Sequence, residues 1–116
     1  MIHIKVKRNK IYKEYLQWLN PILGLSKGEI DVMASYMTLH YMHKDYDKKV
    51  LTSLLLSEQT KEGLRKHLKI NTRLFNKLFG NLMRKGLITE EGINKNLMKY
   101  PDNNKLKMFI CLEIEK

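Results

Sequence analysis

Ile2, Ile4 and Val6 alternate with His3, Lys5 and Lys7. This is the two-residue period of a strand with one buried face, and it predicts a short strand over Ile2 to Lys7. From Lys10 the apolar spacing becomes helical, with Ile11, Tyr15, Trp18, Leu19 and Ile22 in step, Asn9 available as a cap, and Pro21 placed to end or kink the helix. Ser26-Lys27-Gly28-Glu29 has the Ser-x-x-Glu form of a capping box and starts a second helix running to about Met42. Ile30, Met33, Ala34, Met37 and Tyr41 mark one face of that helix and Val32, Tyr36 and Leu39 a neighbouring one, so it is expected to be central to the core.

The polar interval His43 to Lys49 reads as a loop and Val50 to Leu56 as a short apolar helix or turn. A short helix from about Glu58 or Thr60 to Leu68 follows, then a break and a helix over Thr72 to Lys85. Beyond Gly86 the pattern favours strands: Leu87-Ile88-Thr89, then about Asn94 to Tyr100, then Leu106 to Glu115, where Met108, Ile110, Leu112 and Ile114 alternate. Pro101-Asp102-Asn103-Asn104 are four turn formers between the last two, so a long hairpin with a polar tip is expected. There is no internal repeat.

At 116 residues, with 43% apolar and 29% charged residues, the chain is expected to form one globular domain. Twenty-two Lys and Arg against 12 Asp and Glu give a formal net charge of +10, which favours a polyanionic partner. The excess is local: Arg65, Lys66, Lys69, Arg73, Lys77, Arg84 and Lys85 fall between Gly63 and Thr89 with no acid among them. The one cysteine, Cys111, precludes an intramolecular disulfide and a cysteine-rich zinc site. With no signal-peptide pattern and no apolar run near the roughly 18 residues of a bilayer span, a cytoplasmic protein without membrane contact is expected.

Leu64 and Leu68 are placed to pack one helix, Ile70 to plug a turn, and Phe75, Phe79 and Leu82, widened by Leu74 and Leu78, to seat the next helix upon it. Asn71 suits the N-cap, and Gly86 the left-handed stop. The outward face is then Thr72, Arg73, Asn76, Lys77, Gly80, Asn81 and Arg84, residue types that read base edges and neutralise phosphates.

This segment, closing on Lys85-Gly86-Leu87-Ile88, resembles the helix-turn-helix of winged-helix regulators, and the order of elements from Leu25 to Ile114 is similar to the MarR type. The resemblance implies an α+β winged-helix fold and binding of double-stranded DNA, most simply as a transcriptional regulator. The helix over Thr72 to Lys85 would lie in the major groove and the hairpin on phosphates or the minor groove. Arg73, Asn76 and Lys77 would then contact bases, with Thr72, Asn81, Arg84, Lys69, Lys105 and Lys107 on the backbone; Lys95, Lys99, Asn103 and Asn104 lie on or near the hairpin. A homodimer is expected to use the N-terminal strand and helix, with Tyr12, Tyr15 and Trp18 as interface or core.

A non-catalytic structural or adaptor protein of a larger assembly, or a replication factor, is the alternative. His40, His43, Asp45 and Asp47 have the residue types of a metal site, but helix-end histidines are the commoner meaning, and Cys111 reads as a small buried thiol. No phosphate-binding glycine loop, nucleophile elbow, HExxH or paired carboxylates occur, so no enzyme activity, cofactor or metal is expected.

Overall fold

The helix over Lys27–Met42 (α2) is the hub of an α+β fold, because it is apolar around most of its circumference: Ile30, Val32, Met33, Tyr36 and Met37 are all buried. It packs against helices over Ile11–Leu23 (α1), Lys48–Leu55 (α3), Glu58–Leu68 (α4) and Thr72–Arg84 (α5). The computed structural model describes residues 2–102, 104–107 and 110–114, and at 2, 3, 107 and 110–112 the backbone alone. Among the described residues no helix is long and apolar enough to cross a membrane.

Side chains start most of the helices. Ser26 Oγ accepts from the Glu29 N–H and the Glu29 carboxylate accepts from the Ser26 N–H, both at 3.2 Å, which completes the expected capping box of α2. Asp47 caps α3 by accepting from the Lys49 N–H, and Ser57 caps α4 by accepting from the Thr60 N–H. Asn9 does not cap α1; it lies in a 3-10 turn over Arg8–Lys10 that leads into the helix. Pro21 does not end α1 either, since its missing N–H removes one bond in the last turn, and Gln17, whose carbonyl would have accepted it, is exposed to water. The stop is Gly24, left-handed at φ 64°, whose N–H donates to Asn20 O. The Asn20 side chain then bonds both the N–H and the carbonyl of Leu25.

The strands depart from the expected hairpin. The N-terminal strand, Ile2–Val6 (β1), pairs in parallel with Ile110–Ile114 (β5), Ile4 opposite Leu112, and β5 pairs antiparallel with Lys105–Lys107 (β4). This three-stranded sheet, ordered β1-β5-β4, lies on α1. A separate minimal hairpin joins Ile88–Thr89 (β2) to Gly92–Ile93 (β3).

Residues 94–100, expected to be a strand, form none. Asn94 turns the chain on itself, with its side chain accepting from the Asn96 N–H and its carbonyl from the N–H groups of Leu97 and Met98. The hydroxyls of Tyr15 and Tyr12 then donate to the carbonyls of Leu97 (2.8 Å) and Lys99 (2.6 Å), which a ladder would otherwise have used. Asn103 and Met108, placed by the sequence in the tip and last strand, lie outside the described residues.

Candidate nucleic-acid interface

The turn between α4 and α5 is tight and closed by backbone bonds. Lys69 takes the left-handed conformation at φ 57°, its N–H donates to Arg65 O and Lys66 O, and the Ile70 N–H donates to Arg65 O at 3.2 Å. Ile70 packs part-buried against the core, in the plugging position its spacing predicts. Asn71 Oδ1 accepts from the Leu74 N–H at 2.7 Å, which caps α5 and leaves the other N–H groups of its first turn without a side-chain cap.

Alpha5 is seated by Phe75, Leu78 and Leu82, all buried, each contributing roughly 1.5–3 kcal/mol by removal from water. Phe79 is half-buried, stacked on Phe75 with ring centroids 6.1 Å apart and tilted against Tyr36 at 5.8 Å. The seat is rotated slightly from the expected one: Leu78 is central to it, while Leu74 remains 41% exposed.

Thr72, Arg73, Asn76 and Lys77 are exposed on the opposite side of α5, with Arg84 exposed at its end. Arg73, Lys77, Gly80 and Arg84 follow one another at helical intervals and share a stripe. Lys69 extends it from the turn, exposed. Four lysines elsewhere are paired: Lys13 with Asp31, Lys61 with Glu58, Lys66 with Glu62 and Lys85 with Glu29. Arg73, Lys77 and Lys69 have no acid within salt-bridge distance among the described residues. Their charges are uncompensated and point at water.

Asn81 is not part of that outward face. Its amide donates to Glu29 Oε2 at 2.9 Å and its carbonyl oxygen accepts from Arg84. Lys85 Nζ completes the cluster at 2.9 Å from both Glu29 Oε1 and Gly24 O. Burial alone would raise the Glu29 carboxyl, but the Lys85 ammonium, the Ser26 N–H and the Asn81 amide overcome it and hold the carboxyl below the usual range. Helical periodicity alone places Asn81 outward, because it does not reveal a buried carboxylate 52 residues away.

The hairpin beside α5 is the short β2–β3 pair, and its turn is Glu90-Glu91, both exposed. Lys105, expected on a basic hairpin, is half-buried in β4 of the sheet on α1, and Lys107 lies in the same strand with its side chain outside the described residues. Beta4 and β5 do form a hairpin, but parallel pairing with β1 makes it part of that sheet. Lys95 and Lys99 are exposed on the turn and segment that follow β3, and Asn104 accepts a long 3.4 Å bond from Arg8.

Tyr12 and Tyr15 are core residues, 1% and 2% exposed, whereas Trp18 is 46% exposed. Burial raises the pKa of both tyrosine hydroxyls above the ordinary value. His40 Nε2 lies 2.6 Å from Tyr100 Oη, and burial lowers the His40 imidazole; His43 Nδ1 contacts Leu39 O. Among the described residues no three His, Cys, Asp or Glu side chains gather as a metal site would need. The Cys111 side chain lies outside the described residues.

Two groups of side chains escaped the sequence reading. One is Glu29 as an anchor for α5. The other is the set around Tyr46 and Tyr100, where Lys44-Asp45-Tyr46-Asp47-Lys48 interleaves lysine and tyrosine within what reads as a polar loop. Compared with known proteins, the chain matches no protein-family model, no curated protein sequence and no solved structure.

Proposed function

We propose that the chain is a winged-helix protein that binds double-stranded DNA by laying α5 in the major groove, most simply as a transcriptional regulator. The observation that carries this is the stripe of Lys69, Arg73 and Lys77 on one exposed helix face, with no acid within salt-bridge distance among the described residues. Arg73, Asn76 and Lys77 are the base-contacting candidates, with Thr72, Lys69 and Arg84 on phosphates. The Asn71 cap orients the first turn of α5, whose N–H groups and positive dipole end suit a phosphate oxygen.

In this reading the β2–β3 hairpin would serve as the wing, although it has the wrong charge for a phosphate contact. Glu90 and Glu91 at its turn would repel the backbone, so the helix and the α4–α5 turn carry the binding in this proposal. Lys105 and Lys107 then drop out of the contact set, and Asn81 acts by fixing α5 on α2.

Selection of preferred sequences from a random duplex pool, with the wild type and with Arg73→Ala, tests this. A base preference that relaxes at one position in the variant identifies Arg73 as reading a base, by about 1–3 kcal/mol. An unselective pool with wild-type protein contradicts sequence-preferring binding.

A further inference from the structure

A groove of about 370 Å³ opens between the end of α2, helix α3 and the β2–β3 hairpin, with the segment after Asn94 as its remaining wall. That volume lies within the range of small-molecule sites. Its floor is apolar, formed by Leu51, Leu55 and Ile93, all buried. The hairpin side is fixed by a hydrogen bond from Thr52 Oγ1 to Glu91 O at 3.0 Å.

The rim combines two chemistries. Lys44, Lys48 and Lys95 line it, are exposed, and have no acid within salt-bridge distance among the described residues; Lys44 Nζ rests 4.4 Å from the centre of the Tyr41 ring. Glu91 is the one carboxylate among the lining residues. Tyr46 and Tyr100 also line the groove and leave 51% and 48% of their surface in water. The ring of His40, another lining residue, contacts Tyr100 Oη through Nε2, while its Nδ1 is buried without a hydrogen-bond partner.

Half-exposed aromatic rings beside several free ammonium groups suit one class of ligand well. A nucleobase offers a flat π face for a tyrosine, and its phosphate offers the charge the lysines lack. A purely apolar ligand would leave the ammonium rim unused, and a simple anion would leave the apolar floor and the two rings unused.

We propose that this groove binds a nucleotide, its base against Tyr46 or Tyr100 and its phosphate within reach of Lys44, Lys48 and Lys95. The same chemistry is offered by a free mononucleotide and by an unpaired nucleotide of a single strand. The site goes beyond duplex binding through α5, since a base stacked inside a duplex cannot present its face to a protein ring.

The test uses the full chain, fluorescein-labelled dT12 read by anisotropy, and dTMP against thymidine read by calorimetry. Wild type, Tyr46→Ala, Lys48→Ala/Lys95→Ala and Arg73→Ala/Lys77→Ala are compared, with circular dichroism confirming the fold of each. The expected result is binding of dT12 that weakens about tenfold or more in Tyr46→Ala, falls in the double lysine variant, and persists in Arg73→Ala/Lys77→Ala. Binding of dTMP but not thymidine, with no gain for dT12, assigns the groove to a free nucleotide. Absence of binding to both dT12 and dTMP overturns the proposal. So does dT12 binding that is lost in Arg73→Ala/Lys77→Ala and unchanged in Tyr46→Ala. Duplex binding is read separately in the same variants, so failure of either site leaves the other measurable.

Discussion

Asn81 on α5 donates its side-chain amide to Glu29 Oε2 on α2 at 2.9 Å, in the same carboxylate that Lys85 Nζ holds at Oε1. One buried acid thereby joins the N-terminal cap of the central helix to the last turn of the helix bearing the uncompensated cations. The position of that basic face depends on a charge that is not on the face itself.

Glu29→Gln is expected to destabilise the protein by about 1–3 kcal/mol at neutral pH, because Lys85 loses its charged partner in a half-buried site. The folded Glu29 carboxyl is held below its unfolded value, so its contribution is fully present above about pH 4.3 and is lost as pH falls through the lower folded value. Urea denaturation of both proteins from pH 7 to pH 3 should show the difference shrinking toward acid. A difference independent of pH would place the effect in packing.

Lys69 carries a side chain at φ 57°, where glycine is at ease and other residues are strained. Lys69→Gly is expected to raise stability by up to about 1 kcal/mol while weakening duplex DNA binding through loss of one phosphate contact. Thermal unfolding and duplex titration of the same sample check both. Gly63 gives the matching control: it is exposed within α4 and nothing lies within 4 Å of an added Cβ, so Gly63→Ala should stabilise by about 0.5–1 kcal/mol.

Tyr15→Phe removes the hydroxyl that donates to Leu97 O and leaves a buried carbonyl without that partner. A loss of about 1–2 kcal/mol is expected in denaturant unfolding. Faster amide exchange should be concentrated in residues 94–100. Uniform exchange across the molecule would show that this segment is held by other contacts.

Much of the helical architecture was legible because its signals are local. Ser26 and Glu29 three residues apart, Asn71 before an amphipathic run, and Gly86 at φ 76° after it each act within one turn. Strands at Ile2–Val6, Ile88–Thr89 and Ile110–Ile114 were legible from alternation, but their pairing was not, because β1 pairs with a segment more than a hundred positions away and alternation in Ile110–Ile114 does not say which partner it has. Residues 94–100 misled for a different reason: their composition permits a strand, but Asn94 closes a local turn and two tyrosines from α1 claim the carbonyls. Within the candidate interface, the outward placement of Thr72, Arg73, Asn76 and Lys77 follows from helical periodicity, whereas the inward turn of Asn81 depends on Glu29.

The central test is the salt dependence of binding to a random-sequence DNA duplex, measured by anisotropy for wild type and Arg73→Ala/Lys77→Ala. Each phosphate neutralised contributes about −0.9 to the slope of log K against log salt, so the double variant should bind more weakly with a slope shallower by as much as about 2. Wild-type protein that fails to bind duplex at low salt, or a double variant with unchanged affinity and slope, would contradict DNA binding through α5.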